Sequence, residues 1–362
     1  MLKKKPIGWL SLLLIVGLLT AACGSDSKDA GSGDTTTTAT GGSGIDYQAL
    51  SGSLTASGAS FPDAFYQEVI TAFVDASPLE VTYNSTGSGT GKEQLGAGLT
   101  DFAGSDSLVK EGDGPAAGSF LYVPTVAAPI TVSYNLKGVK ELRLSADTLA
   151  GIMQADIKSW DDPLIAADNP DAKLPKENIV IVHRADGSGT TSNFTKYLDQ
   201  ASDVWKLGSG DQVEWPASSQ AGEKNTGVAQ LVKDNPGAIG YVDLSDAEAT
   251  GLTFASIKNK DGNYVQPSLA ATSAGLAGAT VNADLSYDPL DATGADAYPI
   301  TAPTYLLVRT SYADQTTLDN VVGFVTYVLT EGQALAEQVG FAKLPDSLRE
   351  KALAQLEKIT VG

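Results

Sequence analysis

Short β-branched and apolar runs alternate with helical patterns through most of this chain, and that alternation is the strongest constraint on its fold. The runs are Leu79 to Tyr83, Ile130 to Tyr134, Ile179 to His183, Ala238 to Val242 and Tyr305 to Val308. Between them, Phe65, Val69 and Phe73 recur at helical spacing, with Ser60 as the expected N-cap. Ser145-Ala146-Asp147 opens a helix towards Met153, Thr226 opens one that stops at Asn235-Pro236-Gly237, and 318–329 is another. Strands that are apolar throughout need cover on both faces, so the pattern predicts an α/β architecture with mostly parallel sheets. At 362 residues the chain exceeds what one core usually serves, so two domains are expected.

The N-terminal stretch reads as an address. Lys3, Lys4 and Lys5 precede an apolar run, 7–19, too short for a comfortable membrane span. It ends in Thr20-Ala21-Ala22-Cys23, small residues before the only cysteine of the chain. This is the pattern of a lipoprotein signal peptide, 1–22, with Cys23 acylated (palmitate-type lipidation) and left as the mature N-terminus. From Gly24 to Gly44 nearly every residue is Gly, Ser, Thr or Asp, so 23–49 is expected to be the lipidated cysteine and a flexible tether. A lipid, a tether and a globular body predict a protein held at the extracytoplasmic face of the cell membrane.

Composition removes whole classes of function. A formal charge of -19, from 24 Lys and Arg against 43 Asp and Glu, argues against nucleic acid and anionic lipid surfaces, because both select basic patches. One cysteine and one histidine exclude an intrachain disulfide, a multi-thiolate metal site and a His-rich zinc site. No metal and no cofactor is expected, and a location outside the cytoplasm disfavours ATP- or NAD-dependent chemistry.

Three Ser/Thr-Gly turns carry the chemistry. The first is 56–62, Ala-Ser-Gly-Ala-Ser-Phe-Pro; the second is 85–91, Ser-Thr-Gly-Ser-Gly-Thr-Gly; the third is 184–191, Arg-Ala-Asp-Gly-Ser-Gly-Thr-Thr. Each reads as a turn running into a helix start. Such turns expose N–H groups and hydroxyls at the positive end of a helix dipole, which suits an oxyanion. One turn alone would be ordinary capping; three, one of them carrying Arg184, point to function.

Competing motifs fail on their own terms. Gly91-Lys92 resembles the end of a P-loop, but the upstream Gly is replaced by Thr86 and the next residue is Glu93. Gly87, Gly89 and Gly91 miss the dinucleotide spacing, and no nucleophile elbow surrounds Ser60, Ser88 or Ser188. Ser107 to Lys110 has the S-x-x-K spacing without its companion motifs. His183 reads as a strand or surface residue.

The turns at 56–62 and 184–190, with Asp101-Phe102-Ala103-Gly104-Ser105-Asp106, resemble the phosphate-binding protein family of bacterial high-affinity phosphate ABC transporters. Supporting stretches are 159–163, 236–242 and 298–301, and the likeness covers essentially everything after about residue 50. The resemblance implies a two-domain, class II periplasmic-binding-protein-like fold with two hinge crossovers and a ligand cleft between domains. Domain I would combine 50–126 with 301–362, and domain II would hold 127–300. The protein would be a receptor, not an enzyme, with inorganic phosphate as ligand and the permease and ATPase subunits of a phosphate ABC transporter as partners. The family's ligand shell falls here on Ser60, the N–H of Phe61, Ser88, Asp106, Arg184, Ser188, Gly189 and Thr190, with Asp186 in support. In the second turn the wording departs from the family's, which leaves open whether Ser88 or a neighbour donates.

The physical logic stands beside the resemblance. Arg184 supplies a planar fork for two oxygens, and Asp186 could orient it. Asp106 only accepts when ionised, so facing it towards an oxyanion requires a ligand that carries a proton. Phosphate does near neutral pH and sulfate does not, which makes Asp106 the expected specificity device. A receptor for another oxyanion is the alternative on the same fold, and Asp106 argues against it. A phosphate-ester hydrolase would need an activated nucleophile or a metal cluster that the sequence does not display.

Overall fold

The computed structural model describes residues 44–362. The expected signal peptide, Cys23 and most of the tether lie outside the described residues. The tether was expected to reach 49, but its last part is docked. Tyr47 packs edge-on against Phe73 and Tyr327 at ring distances of 5.9 and 5.4 Å, and Gln48 Nε2 donates to the Ala76 carbonyl at 2.7 Å.

β1 (Ser53–Gly58) and β2 (Glu80–Ser85) are parallel neighbours, which requires a crossover, and α1 (Asp63–Ala76) supplies it. α1 turns Phe65, Tyr66, Val69 and Phe73 inward, the helical spacing visible in the sequence. α2 (Ser88–Gly96) leads into β3 (Phe102–Ser105), parallel to β1 on its other side. The long strand β4 (Phe120–Tyr134) then starts a second set. In it, β5 (Val180–Arg184), α3 (Gly189–Ala201), β6 (Gln220–Gly222), α4 (Lys224–Asp234) and β7 (Ala238–Asp243) repeat the plan, with β5 parallel to both β6 and β7. β8 (Thr301–Arg309) returns to the first set, and α5 (Gln315–Leu329) covers it.

Among the described residues these strands form a ten-stranded sheet in the order β2-β1-β3-β8-β4-β7-β5-β6, with short strands 253–254 and 342–343 added along β4. β4 is its spine. At about 3.3 Å per residue it runs about 50 Å. It pairs with β8 over Phe120–Pro129 and with β7 over Ile130–Tyr134. Pro124 lies where the register against β8 shifts, and Pro129 forms the last pair before the partner changes. A missing N–H is tolerated best at such positions. The core runs continuously through Phe73, Val123, Ile130, Trp160, Tyr197, Leu307 and Val325, and a smaller cluster of Val182, Val228, Val232 and Val242 lies beneath α4.

Two expectations need correction. The sheet is mixed, not mostly parallel, because β8 runs antiparallel to β3 and β4, and β4 antiparallel to β7. Apolar runs report burial and carry no strand direction. Ser60 does not cap α1, which begins at Asp63 behind Pro62 with no side-chain cap. By contrast Ser145 caps the helix Ala146–Met153, its Oγ accepting the Thr148 N–H at 3.3 Å.

Candidate anion-binding site

The residues singled out in the sequence gather where β1, β2, β3 and β5 end, at helix starts after β1, β2 and β5 and in the segment after β3, the usual ligand edge of an α/β sheet. Ser60, Phe61, Ser88, Asp106, Arg184, Ser188 and Thr190 are all buried. The two sets of turns touch backbone to backbone. Gly89 N–H donates to the Gly187 carbonyl at 3.0 Å. A Cβ on Gly87 would stand 2.4 Å from Asp186 Oδ2, and one on Gly189 would stand 2.6 Å from Ser88 Oγ. Gly87 also has φ +92°, a conformation that side chains resist. These glycines let the second and third turns pack in contact.

The hydroxyls share one arrangement. Ser60 Oγ accepts the Asn225 backbone N–H at 3.3 Å, and Ser88 Oγ accepts the Asp106 N–H at 3.2 Å. Ser188, the N-cap of α3, accepts the Thr191 N–H at 3.1 Å, and Thr190 Oγ1 accepts Asn225 Nδ2 at 3.3 Å. An oxygen that already accepts turns its own proton elsewhere, so these hydroxyls are set as donors. Ser88 differs in that it already donates its proton to Asp106 Oδ2, at a long 3.4 Å. Of the first-turn N–H groups of α1, α2 and α3, those of Asp63, Gly89 and Thr191 already have protein acceptors, and the rest are left without an intrahelical partner by helix geometry.

Arg184 is held on two sides. Its Nε donates to Asp186 Oδ1 at 2.7 Å and its Nη2 to Asp186 Oδ2, while Nη1 donates to Asn225 Oδ1 at 2.9 Å. Of the five guanidinium N–H groups this leaves one on Nη1 and one on Nη2. Although Asp186 is half-buried, its hydrogen bonds and ion pair with Arg184 hold its carboxyl below the usual range, and the Lys224 N–H at 3.0 Å adds to them. The Arg184–Asp186 pair is therefore neutral overall, and the site attracts by aimed donors more than by net charge.

Asp106 sits opposite. Thr304 Oγ1 donates to its Oδ1 at 2.7 Å, and Asn193 Nδ2 donates to its carbonyl at 2.6 Å. Burial pushes its carboxyl up to about 7, against the Thr304 bond and Arg184, with Asp211 and Asp243 adding to the rise. His183 lies outside this group. It stacks on Trp215 at 5.0 Å, and burial lowers its pKa.

Asn225 and Thr304 are the residues that sequence reasoning missed. Asn225 ties Arg184, Thr190 and Ser60 together and donates through Nδ2 to Asp243 Oδ2 at 2.8 Å. Tyr241 backs the third turn, its hydroxyl accepting the Arg184 N–H at 3.3 Å and bonding Thr191 Oγ1 at 2.7 Å. Neither Asn225 nor Thr304 stands in a recognisable motif.

A donor-lined site enclosed between strand ends of a crossed-over α/β sheet defines a solute-binding protein of the periplasmic type. Residues 31–331 match the family model described as a PBP superfamily domain. The phosphate-binding protein PstS of Haemophilus influenzae is 34% identical over 303 residues, covering 82% of this chain and 90% of that one. PstS of Methanocaldococcus jannaschii is 35% identical over 335 residues, covering 83% and 85%. A high-affinity periplasmic phosphate-binding protein solved with phosphate shares the fold with a TM-score of 0.68 at 23% identity, over 84% of this chain and 93% of that one. The chain belongs to the PBP superfamily and, within it, to the PstS family.

Proposed function

We propose that this chain is an extracytoplasmic receptor that binds inorganic phosphate between two lobes and delivers it to the permease and ATPase subunits of an ABC importer. Its relatives bear the name of a phosphate-binding protein, and their family is one of transport receptors, not enzymes. The observation that carries the reading is the donor set. Ser60, Ser188 and Thr190 each accept from a protein N–H and have a proton left to give, Ser88 accepts likewise but gives its proton over a long 3.4 Å to Asp106 Oδ2, and Arg184 keeps two N–H groups for ligand oxygens. The N–H groups of Phe61 and Gly189 complete the shell. Each charge-assisted bond of this kind contributes roughly 1.5–3 kcal/mol in a dry site.

Asp106 decides between oxyanions. When ionised it accepts a hydrogen bond from the proton that phosphate carries, and it faces sulfate as a second acceptor. The lobes are 50–126 with 301–362, and 127–300, and they close about the passages through β4 and β8. The leader 1–22 is cleaved, Cys23 carries the lipid, and the tether keeps the receptor at the extracytoplasmic face of the cell membrane. Calorimetric titration of phosphate, with sulfate as control, into phosphate-stripped protein lacking residues 1–23 tests the reading. Tight phosphate binding beside a silent sulfate trace is expected; tight sulfate binding or silence to phosphate would overturn it.

A further inference from the structure

Lys92 stands one helical turn beyond Ser88 in α2, and its side chain is only 1% exposed. Its ammonium lies 2.7 Å from Asp113 Oδ2 and 2.9 Å from Asp211 Oδ2. The two carboxylates come from different parts of the fold. Asp113 belongs to the segment between β3 and β4, on the same side as Lys92, and it also accepts the Lys110 N–H at 2.6 Å. Asp211 belongs to the loop between α3 and β6, on the opposite wall.

Asp211 connects ligand-site turns on both walls. Its carbonyl accepts the Ser188 N–H at 3.0 Å, and its Oδ2 accepts the Ser107 hydroxyl, next to Asp106, at 3.0 Å. A Cβ on the neighbouring Gly210 would come 3.7 Å from Lys110 Nζ, so the 107–113 segment lies along the 210–212 loop. The motif reading of Gly91-Lys92 as a phosphate-binding loop end fails, and the ammonium is instead committed to two carboxylates. If the walls part, Lys92 keeps Asp113 while Asp211 leaves for water.

We propose that Lys92 and Asp211 form an affinity-determining ion pair that never touches the ligand and forms only when the cleft closes. This rests on the reading of two lobes closing on phosphate. The pair raises the fraction of protein in the closed state. Measured affinity scales with that fraction, so the pair tightens binding without changing which oxyanion is chosen. Asp113 has a different part, holding the ammonium in place in both states.

The test is a pair of double-mutant cycles in protein lacking residues 1–23. One joins Lys92→Met with Asp211→Asn, the other Lys92→Met with Asp113→Asn. Each variant is read by its Kd for inorganic phosphate and by the Tm of the phosphate-free form. D211N keeps an acceptor for Ser107 and leaves Lys92 paired, so it carries the test if K92M folds poorly. We expect K92M and D211N each to raise the phosphate Kd about tenfold, with the double variant no worse than either single. Coupling of Lys92 to Asp113 should appear in the phosphate-free Tm, and preference over sulfate should persist throughout. Since Asp211 also bears on the Asp106 carboxyl, coupling is the deciding quantity. Additive effects on Kd, a D211N Kd within twofold of the unmodified protein, or Lys92–Asp211 coupling of equal size in the phosphate-free Tm would each overturn the pair alone. Unmodified protein that ignores phosphate would overturn the functional reading, and this proposal with it.

Discussion

Asn225→Ala is the perturbation whose consequences the structure specifies most fully. The substitution takes an acceptor from Arg184 Nη1 and donors from Asp243 Oδ2 and Thr190 Oγ1, and leaves the backbone bond to Ser60 in place. Buried bonds to charged partners contribute about 1.5–3 kcal/mol each and a neutral one about 1 kcal/mol. The three share one side chain and do not add fully, so a loss of about 3–5 kcal/mol follows. At about 2.1 cal/mol/K of unfolding entropy per residue, each kcal/mol moves the Tm of a chain of this size by about 1.5 °C, so a fall of about 4–7 °C is expected in the phosphate-free protein. Phosphate affinity should drop at least about tenfold, because Thr190 can then turn its proton inward and the Arg184 fork loses one of its two supports. Asn225→Asp sharpens the test. It keeps an acceptor for Arg184 but sets a second carboxyl against Asp243, which burial already pushes towards its protonated form. Its stability and affinity should therefore recover as pH falls, whereas those of N225A should not. Thermal melts and phosphate titrations at pH 5 and pH 8 read both variants. An N225A protein with Tm within about 2 °C of the unmodified chain and an unchanged phosphate Kd would refute the reasoning.

Other consequences can be checked as directly. Burial raises the Asp106 carboxyl to about 7, so below that pH it carries its own proton and can donate to any oxyanion. The sulfate-to-phosphate Kd ratio should shrink as pH falls from 8 to 6, and in D106N it should be small and flat, as competition titrations would reveal. Gly87→Ala would drive a Cβ to 2.4 Å from Asp186 Oδ2 across the site, so phosphate Kd should rise more than about tenfold while the phosphate-free Tm falls only a few degrees. Lys224 holds φ +61° at the start of α4 while its N–H donates to Asp186 at 3.0 Å. Lys224→Gly should relieve about 1 kcal/mol of left-handed strain and raise Tm by about 1–2 °C with phosphate binding intact; a fall in Tm would show that the strain is absent.

What could be read from the sequence was local. The turns at 56–62, 85–91 and 184–191 announce themselves because Gly, Ser and Arg act within a few residues of one another. The helical spacing of Phe65, Val69 and Phe73 is likewise a short-range signal. β4 was legible only as its last five residues, since Pro124 and Pro129 interrupt the earlier part and are tolerated only by the register shift and partner change they accompany. Ser60 looked like a cap because it precedes a helical pattern, yet its oxygen is taken by Asn225, 165 residues away. Thr304 lies just before the apolar run Tyr305 to Val308 and carried no sequence signal of its own; only the antiparallel alignment of β8 with β3 brings it to Asp106. Asn225 and Thr304 acquire their roles from long-range pairing, which periodicity does not encode.

The central claim is that phosphate is held by donors already aimed at it, with Asp106 accepting a hydrogen bond from its proton. A crystal structure of the phosphate complex at neutral pH tests this most directly. We expect the phosphate oxygens within hydrogen-bond distance of Ser60, the Phe61 N–H, Ser88, both free Arg184 N–H groups, Ser188, the Gly189 N–H and Thr190, with one Asp106 oxygen facing a protonated phosphate oxygen. Phosphate lying elsewhere, or bound here with Asp106 turned away, would contradict the account.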